Sequence, residues 1–190
     1  MKINEKRNCS KVVASYLFLG TLAIFTGLGA DLCLAAAVDV SNIEELEKAI
    51  GNDSSTVINI TTDYIKLNKN LPVIGRSLII SGATGGSTLD VNNARIILEF
   101  NTKSDNATIN IAINNICFQN SSAARNDGSA LYIRRGTTIT LNNTDFSNNT
   151  AVSHGGAILT LGDENVANNT LTFSGKTTFT GNKSTEGDGG

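Results

Sequence analysis

Segment 145–159, with the sequence DFSNNTAVSHGGAIL, shows the pattern that decides the fold. An aromatic residue, Phe146, stands three positions before Asn149, and a polar run then leads to a glycine pair and an apolar Ala-Ile-Leu stretch. Apolar runs separated by Asn- and Gly-rich turns are typical of short β-strands. The segment therefore predicts a strand, a turn and a second strand.

One further copy of this pattern lies on each side of the segment. The phenylalanines at 118, 146 and 179 follow one another at intervals of 28 and 33 residues, which is typical of solenoid repeats. A repeat of this length cannot bury its own apolar face, so consecutive repeats must stack. The sequence thus predicts an all-β fold, a parallel β-helix. The residues of its structural repeat motif are Phe118, Asn120, Gly128, Ala130, Phe146, Asn149, Gly155, Gly156, Ala157, Ile158, Phe179, Asn182, Gly189 and Gly190.

The paired motifs Phe-x-x-Asn, at 146–149, and Gly-Gly-Ala-Ile, at 155–158, resemble the repeat of chlamydial-type polymorphic outer-membrane proteins, which are autotransporter adhesins. The first copy has Ser129 in place of the second glycine, and the third copy stops before its alanine. The resemblance implies an outer-membrane or extracellular location, a host-cell surface protein or glycan as partner, and no cofactor. The early strands and residues 87–90 also resemble the pectate-lyase superfamily of right-handed β-helices.

Composition agrees with a secreted β-solenoid. Charged residues make up 17% of the chain and aromatic residues 5%, with no Trp and a formal net charge of −2. Regularly spaced aliphatic side chains argue against the disorder that so much Asn and Gly could otherwise indicate. Because no basic patch is present, we expect no nucleic-acid partner. Cys117 is interpreted as a small buried hydrophobic residue rather than a reactive thiol.

Residues 1–37 have the layout of a secretory signal peptide. A basic leader precedes a long apolar run, and three alanines at 35–37 offer a cleavage site after Ala37. The alternative is an uncleaved membrane anchor, because the apolar run approaches the length that spans a bilayer. We otherwise expect membrane attachment only through a C-terminal translocator barrel, which this sequence lacks.

Residues 38–52 predict a short amphipathic helix that caps the first coil. Ser41 is the expected N-cap, the apolar residues Ile43, Leu46 and Ile50 fall on one face, and Gly51 can end the helix. Such a helix would cover the open end of the solenoid, although an ordinary surface helix has the same pattern. Residues 53–190 are then predicted to be β-helix repeats that are truncated at the C-terminus.

The Asn pairs within these repeats predict sharp corners. Asn tolerates left-handed backbone angles, and the pairs at 114–115, 142–143, 148–149 and 168–169 could also hydrogen-bond from coil to coil. Simple solvated loops are the alternative. The phenylalanines at 118, 146, 173 and 179 are expected to stack in the interior, with exposed binding aromatics as the other possibility.

Residues capable of chemistry are sparse. Asp90, Asp127, Asp145 and Asp163 are single acids in polar turns, and the one histidine, His154, has no nucleophile or second histidine at a recognisable spacing. We therefore expect an adhesin-type passenger fragment that is not an enzyme and holds no metal. The alternatives are a carbohydrate-active β-helix enzyme fragment, since stacking could bring distant acids together, and a purely structural envelope protein.

Overall fold

The structure is a computed structural model that describes residues 36–92, 96–102, 107–123, 130–162 and 168–187. Within these ranges, no helix has the length and apolar character that a membrane crossing requires. Several predictions fall outside the described residues: the leader up to residue 35, and the positions Asp127, Gly128, Asp163, Gly189 and Gly190.

The described residues are mostly β-structure with one helix, α1, at Ile43–Gly51. The strands are short, as expected from apolar runs that are broken every few residues by Asn, Gly or Ser. They are β1 Ala36–Val40, β2 Ser55–Ile60, β3 Tyr64–Lys66, β4 Leu78–Ser81, β5 Ser87–Asp90, β6 Leu98–Phe100, β7 Ile109–Asn114, β8 Ile116–Gln119, β9 Ser122–Ala123, β10 Leu131–Ile133, β11 Thr137–Asn142, β12 Asp145–Ser147, β13 Thr150–Ala151, β14 Ile158–Thr160, β15 Thr170–Ser174, β16 Thr178–Thr180 and β17 Lys183–Ser184.

These strands form four parallel sheets. Sheet A has the order β1-β2-β4-β7-β11-β15, sheet B has β3-β5-β8-β12-β16, sheet C has β6-β10-β14 and sheet D has β9-β13-β17. From β7 onward the chain visits sheets A, B, D and C in turn and then returns to sheet A one strand further along. This order of parallel strands is consistent with a parallel β-helix.

The strand register reproduces the predicted repeat. Phe118 pairs with Phe146 and Phe146 pairs with Phe179 in sheet B, so residues 28 and 33 positions apart become neighbours. In sheet A the corresponding row is Ile111, Ile139 and Leu171. Because side chains alternate across a strand, these rows point to the same side and form the core. Full burial of each large side chain stabilises the fold by about 1.5–3 kcal/mol.

The N-terminal region differs from its prediction in two respects. The helix is present, but its N-cap is Asn42, whose Oδ1 accepts the Glu45 N–H at 3.0 Å, and not Ser41. Ser41 instead donates its own backbone N–H to the Glu45 carboxylate at 2.7 Å. In addition, the helix does not begin at residue 38, because the chain up to Val40 is strand β1, paired with β2. Alternation of Val and Asp fits an edge strand better than a helical turn.

The aromatic stack is present, but it is buried at only one end. The rings of Phe118 and Phe146 stack at 5.2 Å and those of Phe146 and Phe179 at 4.9 Å. Phe118 and Phe146 are fully buried, whereas Phe173 is 47% and Phe179 51% exposed. The prediction that all four are interior is therefore wrong for Phe173 and Phe179, because β15 and β16 are the last described strands of their sheets.

Three of the four Asn pairs form left-handed corners as predicted, whereas neither residue of the pair at 168–169 has a positive φ. Asn169 nevertheless joins coils as predicted, since its Oδ1 accepts the Thr137 N–H at 3.1 Å. Asn115, Asn143 and Asn148 have φ of 55°, 50° and 55°, in the left-handed region that Asn tolerates. Neighbouring coils are also joined through the amides: the Asn143 Nδ2 lies 3.4 Å from the Asn115 Oδ1, and Asn142 and Asn114 form a similar long contact of 3.5 Å. These contacts hold the corners between sheets A and B in register.

Candidate ligand-binding groove

An open groove of about 630 Å³ lies over the outer face of sheet B. Its floor is the row Thr88, Cys117 and Asp145, which are paired across strands β5, β8 and β12. Their chain neighbours Leu89, Phe118 and Phe146 point inward, so alternation turns the floor residues outward. The groove is thus a direct consequence of the repeat register. It is lined in addition by Asp63, Thr84, Gly85, Gly86, Ser87, Asn115, Ile116, Asn143 and Lys176.

The walls of the groove are held by hydrogen bonds between coils. At the corner that precedes the sheet B strands, the Ser87 N–H donates to the Asn115 carbonyl at 2.9 Å, and the Ser87 hydroxyl donates to the Thr62 carbonyl at 2.7 Å. Further along the same corner, the Lys176 N–H donates to the Asn143 Oδ1 at 3.0 Å. These bonds anchor the turn before β5 and the corner residues, so the lining is preorganised.

The charges in the groove have both signs. Asp63 and Asp145 contribute carboxylates, and Lys176 contributes an ammonium group. The Thr178 hydroxyl also donates a short hydrogen bond to the Asp145 carboxylate. Hydroxyl, amide, carboxylate and ammonium groups therefore face one open surface, which suits a polar ligand with several hydrogen-bonding groups.

Cys117 lies on the groove floor and is only partly buried, which corrects its interpretation as a buried core residue. Ile116 and Phe118 both point inward, so the residue between them cannot. Burial raises the pKa of the Cys117 thiol, and the negative charges of Asp145 and Asp90 raise it further. The thiol is protonated at neutral pH and is a weak nucleophile there.

Asp90 lies on the outer side of sheet B and is only 8% exposed. Its Oδ2 accepts the Tyr64 hydroxyl at 2.9 Å, the Gln119 Nε2 at 2.9 Å and the Asn120 Nδ2 at 3.1 Å, while its Oδ1 accepts the Asn92 N–H at 2.7 Å. Burial by itself raises the pKa of Asp90, but these four donors outweigh it and lower the pKa below its ordinary value. Asp90 is thus a structural carboxylate that joins three coils.

Within the described ranges, no group of three or more His, Cys, Asp or Glu side chains could hold a metal ion. His154 is exposed, and its Nδ1 is 2.7 Å from the hydroxyl of the adjacent Ser153. Neither residue is among those that line the groove.

The asparagines of the repeat motif occupy two different positions. Asn149 is fully buried, with its Oδ1 accepting the Ser121 N–H and hydroxyl at 3.1 and 2.8 Å, while its Nδ2 donates to the Asn182 Oδ1 at 2.8 Å. The residue equivalent to Asn149 in the first copy is therefore Ser121. Asn120, with φ of 56°, is equivalent instead to Asn148 and corrects the predicted alignment of the first copy.

The glycine pair makes a close approach possible. Gly155 has φ of 62°, and a Cβ on Gly156 would lie 2.6–2.7 Å from backbone atoms of Lys183 on the next coil. Ala157 then returns to the core, and its carbonyl accepts the Ala130 N–H at 3.0 Å. Ile158 begins β14 and pairs with Leu131. These motif residues hold one coil on the next.

Sequence reasoning did not identify the groove or the Asp90 cluster. The side chains that bind Asp90, namely Tyr64, Gln119 and Asn120, are 26 to 30 positions from it, close to the repeat interval. Tyr64 and Asp90, however, precede Phe118, where the first copy of the repeat motif begins. An alignment of polar residues on the strand register would have been needed to find them.

The sequence matches the family described as "Putative pectate lyase-like adhesive domain" over residues 37–185. No curated protein and no solved structure matches the chain. The matched range begins within β1 and ends just after β17, so it contains every coil described above. The chain therefore belongs to this pectate lyase-like adhesive domain family.

Proposed function

We propose that this protein is a secreted, surface-displayed adhesin whose right-handed parallel β-helix binds a host-cell surface protein or glycan through the groove over sheet B. The observation that carries the proposal is the groove, because it exposes a preorganised set of polar groups on a domain of an adhesive family. The sheet order supports a closed coil, since the chain passes through four parallel sheets and returns to the first.

We further propose that the chain acts as an autotransporter passenger of the chlamydial polymorphic outer-membrane type, directed outward by a signal peptide. The repeated Phe stack, the Asn149–Asn182 contact and the Gly155–Gly156 corner support this, because they give the motif residues a shared role in coil stacking.

The proposed activity is binding without catalysis. The Cys117 thiol on the groove floor is protonated at neutral pH and is a weak nucleophile there, and the nearby Asp90 carboxylate is occupied by four donors. A polysaccharide cleavage screen, with and without calcium, tests this part. Release of new reducing or unsaturated ends would favour the enzyme instead.

The groove is tested by measuring binding of the full chain to host-cell surfaces and to arrayed glycans. Lys176→Ala and Asp145→Asn each remove one charged group from the groove, and we expect about tenfold weaker binding from each. The matched controls are Lys183→Ala and Asp39→Asn, at exposed positions of β17 and β1 outside the groove. Equal binding by groove and control variants would contradict the assignment of the groove.

A further inference from the structure

An exposed aromatic ring lies at one end of the groove floor. Tyr64, in β3, pairs with Thr88, so Tyr64, Thr88, Cys117 and Asp145 form one continuous outward row across four strands of sheet B. Neighbouring strands lie about 4.8 Å apart, so this row is about 14 Å long. Tyr64 is 47% exposed, although its chain neighbour Ile65 is buried. The floor of the groove therefore continues onto an accessible aromatic side chain.

The position of this ring is fixed at both ends. Its hydroxyl donates to the Asp90 Oδ2 at 2.9 Å, and its other end is attached to the paired strand β3. Asp90 is held in turn by the Gln119 and Asn120 side chains and by the Asn92 N–H. A ring held in this way loses little conformational entropy when a ligand packs on it. Tyr64 is thus a preorganised apolar surface beside a polar groove.

The charged groups of this outward face leave it net negative among the described residues. Asp63 and Asp145 line the groove together with one ammonium group, from Lys176. In the next outward row, Lys66 stands opposite Asp90 in the strand pairing, so these two residues add no net charge. The whole chain carries a formal net charge of −2. An anionic ligand would therefore be repelled, whereas an uncharged ligand would not.

The size and lining of the groove suit a short sugar chain better than a protein surface. Its volume of about 630 Å³ is typical of small-molecule sites, whereas a stable protein partner covers about 800 Å² around an apolar centre. Thr84, Thr88 and Asn115 bring hydroxyl and amide groups that can exchange hydrogen bonds with sugar hydroxyls. The C–H groups on one side of a pyranose ring pack well on the electron-rich face of an aromatic ring.

We infer that the ligand of the groove is an uncharged oligosaccharide, which lies along the outward row of sheet B with one sugar ring stacked on Tyr64. This inference rests on the proposed adhesive function and specifies the ligand of the same groove. The hydroxyl groups of the sugar contact the polar floor and corner of the groove, while the Tyr64 ring holds one end of the chain. An acidic polysaccharide binds weakly, because its carboxylates meet Asp63 and Asp145.

Binding of the full chain to arrayed glycans tests the ligand class. We expect binding to uncharged oligosaccharides. The matched comparison is the same oligosaccharide after oxidation of its C6 hydroxyls to carboxylates, which should bind about tenfold more weakly at low salt. The difference should shrink at high salt, because repulsion between exposed charges is screened. Equal or tighter binding of the oxidised form at low salt would overturn the assignment of an uncharged ligand.

Two substitutions and one control test the stacking on Tyr64. Tyr64→Ala removes the ring and should weaken binding of the uncharged oligosaccharide about tenfold. Tyr64→Phe loses the same hydrogen bond to Asp90 but keeps the ring, so its affinity should stay within about threefold of the wild type. The control is Ile79→Ala, at an exposed position of sheet A outside the groove, and it should bind like the wild type.

Nuclear magnetic resonance of the bound sugar gives an independent readout. The ring current of the wild type and of Tyr64→Phe should shift the C–H protons of one sugar ring upfield, and Tyr64→Ala should not. Equal shifts in all three proteins, or equal affinities of Tyr64→Ala and Tyr64→Phe, would show that no sugar stacks on this ring.

Adhesion to host cells separates this inference from the proposed function. Suppose that no uncharged glycan binds and that Tyr64→Ala adheres like the wild type, while Lys176→Ala and Asp145→Asn adhere more weakly. The groove then binds a protein, and only the inference about the sugar fails. If all three variants adhere like the wild type, the groove is not the adhesive surface, and the proposed function fails as well.

Discussion

Replacing Asp90 by asparagine should destabilise the fold although the two side chains have nearly the same shape. The carboxylate accepts three side-chain donors at Oδ2 and the Asn92 N–H at Oδ1. An asparagine has one oxygen, so its best orientation keeps the three donors and turns its NH₂ group toward the Asn92 N–H. One hydrogen bond is lost, and two donors then face each other.

The magnitude follows from these contacts. An unsatisfied, nearly buried donor costs about 1–3 kcal/mol, and three bonds that lose their charge assistance weaken by about 0.5–1 kcal/mol each. Removing the charge also removes part of its desolvation cost, which offsets about 1–2 kcal/mol. We expect a net loss of about 2–3 kcal/mol in the free energy of unfolding at pH 7, measured by urea denaturation of the full chain.

The loss should depend on pH in a defined direction. The pKa of Asp90 is lower in the folded protein than its unfolded value of about 3.9, so its stabilisation is present above that value and is lost as the pH falls through the folded pKa. The stability difference between the wild type and Asp90→Asn should therefore stay constant from about pH 7 to 5 and narrow below about pH 4.

The control is Asp39→Asn, an exposed carboxylate whose Oδ1 accepts one amide, the Asn59 Nδ2, at 3.0 Å. It should cost less than about 0.5 kcal/mol. Asp90 does not have the stabilising role described if Asp90→Asn costs no more than this control at pH 7, or if the stability difference between Asp90→Asn and the wild type widens as the pH falls.

Two further substitutions test the packing between coils by the same urea assay. Phe146→Ala removes a fully buried ring between two others and should cost about 3–5 kcal/mol, whereas Phe179→Ala, at the half-exposed end of the stack, should cost about 1–2 kcal/mol. Equal losses would show that the end of the stack is covered in solution. Gly156→Ala should cost about 2 kcal/mol or more, since its Cβ meets the Lys183 backbone, while Gly162→Ala, with no atom within 4 Å, should be nearly neutral. If Gly156→Ala leaves the free energy of unfolding unchanged, then β17 in sheet D can move away from the added methyl group without loss of stability.

The sequence alone determined the features that depend on local chemistry and on period. The intervals between phenylalanines predicted which residues become neighbours, and the register of sheet B agrees. The Asn pairs predicted corners because the left-handed angles they adopt are a property of the residue itself. The helix followed from its apolar spacing, although its cap was placed one residue early, since Ser41 and Asn42 both suit that position.

The tertiary structure decided which of these residues meet and which side of the coil they face. Asp90 gathers Tyr64, Gln119 and Asn120 from coils that are distant in sequence, and the groove depends on which side of β8 Cys117 faces. Likewise, Phe146 and Phe179 have the same motif context, but one is buried and the other half exposed. Burial depends on what is stacked on the next coil, and that neighbour is set by the assembled coils rather than by the motif.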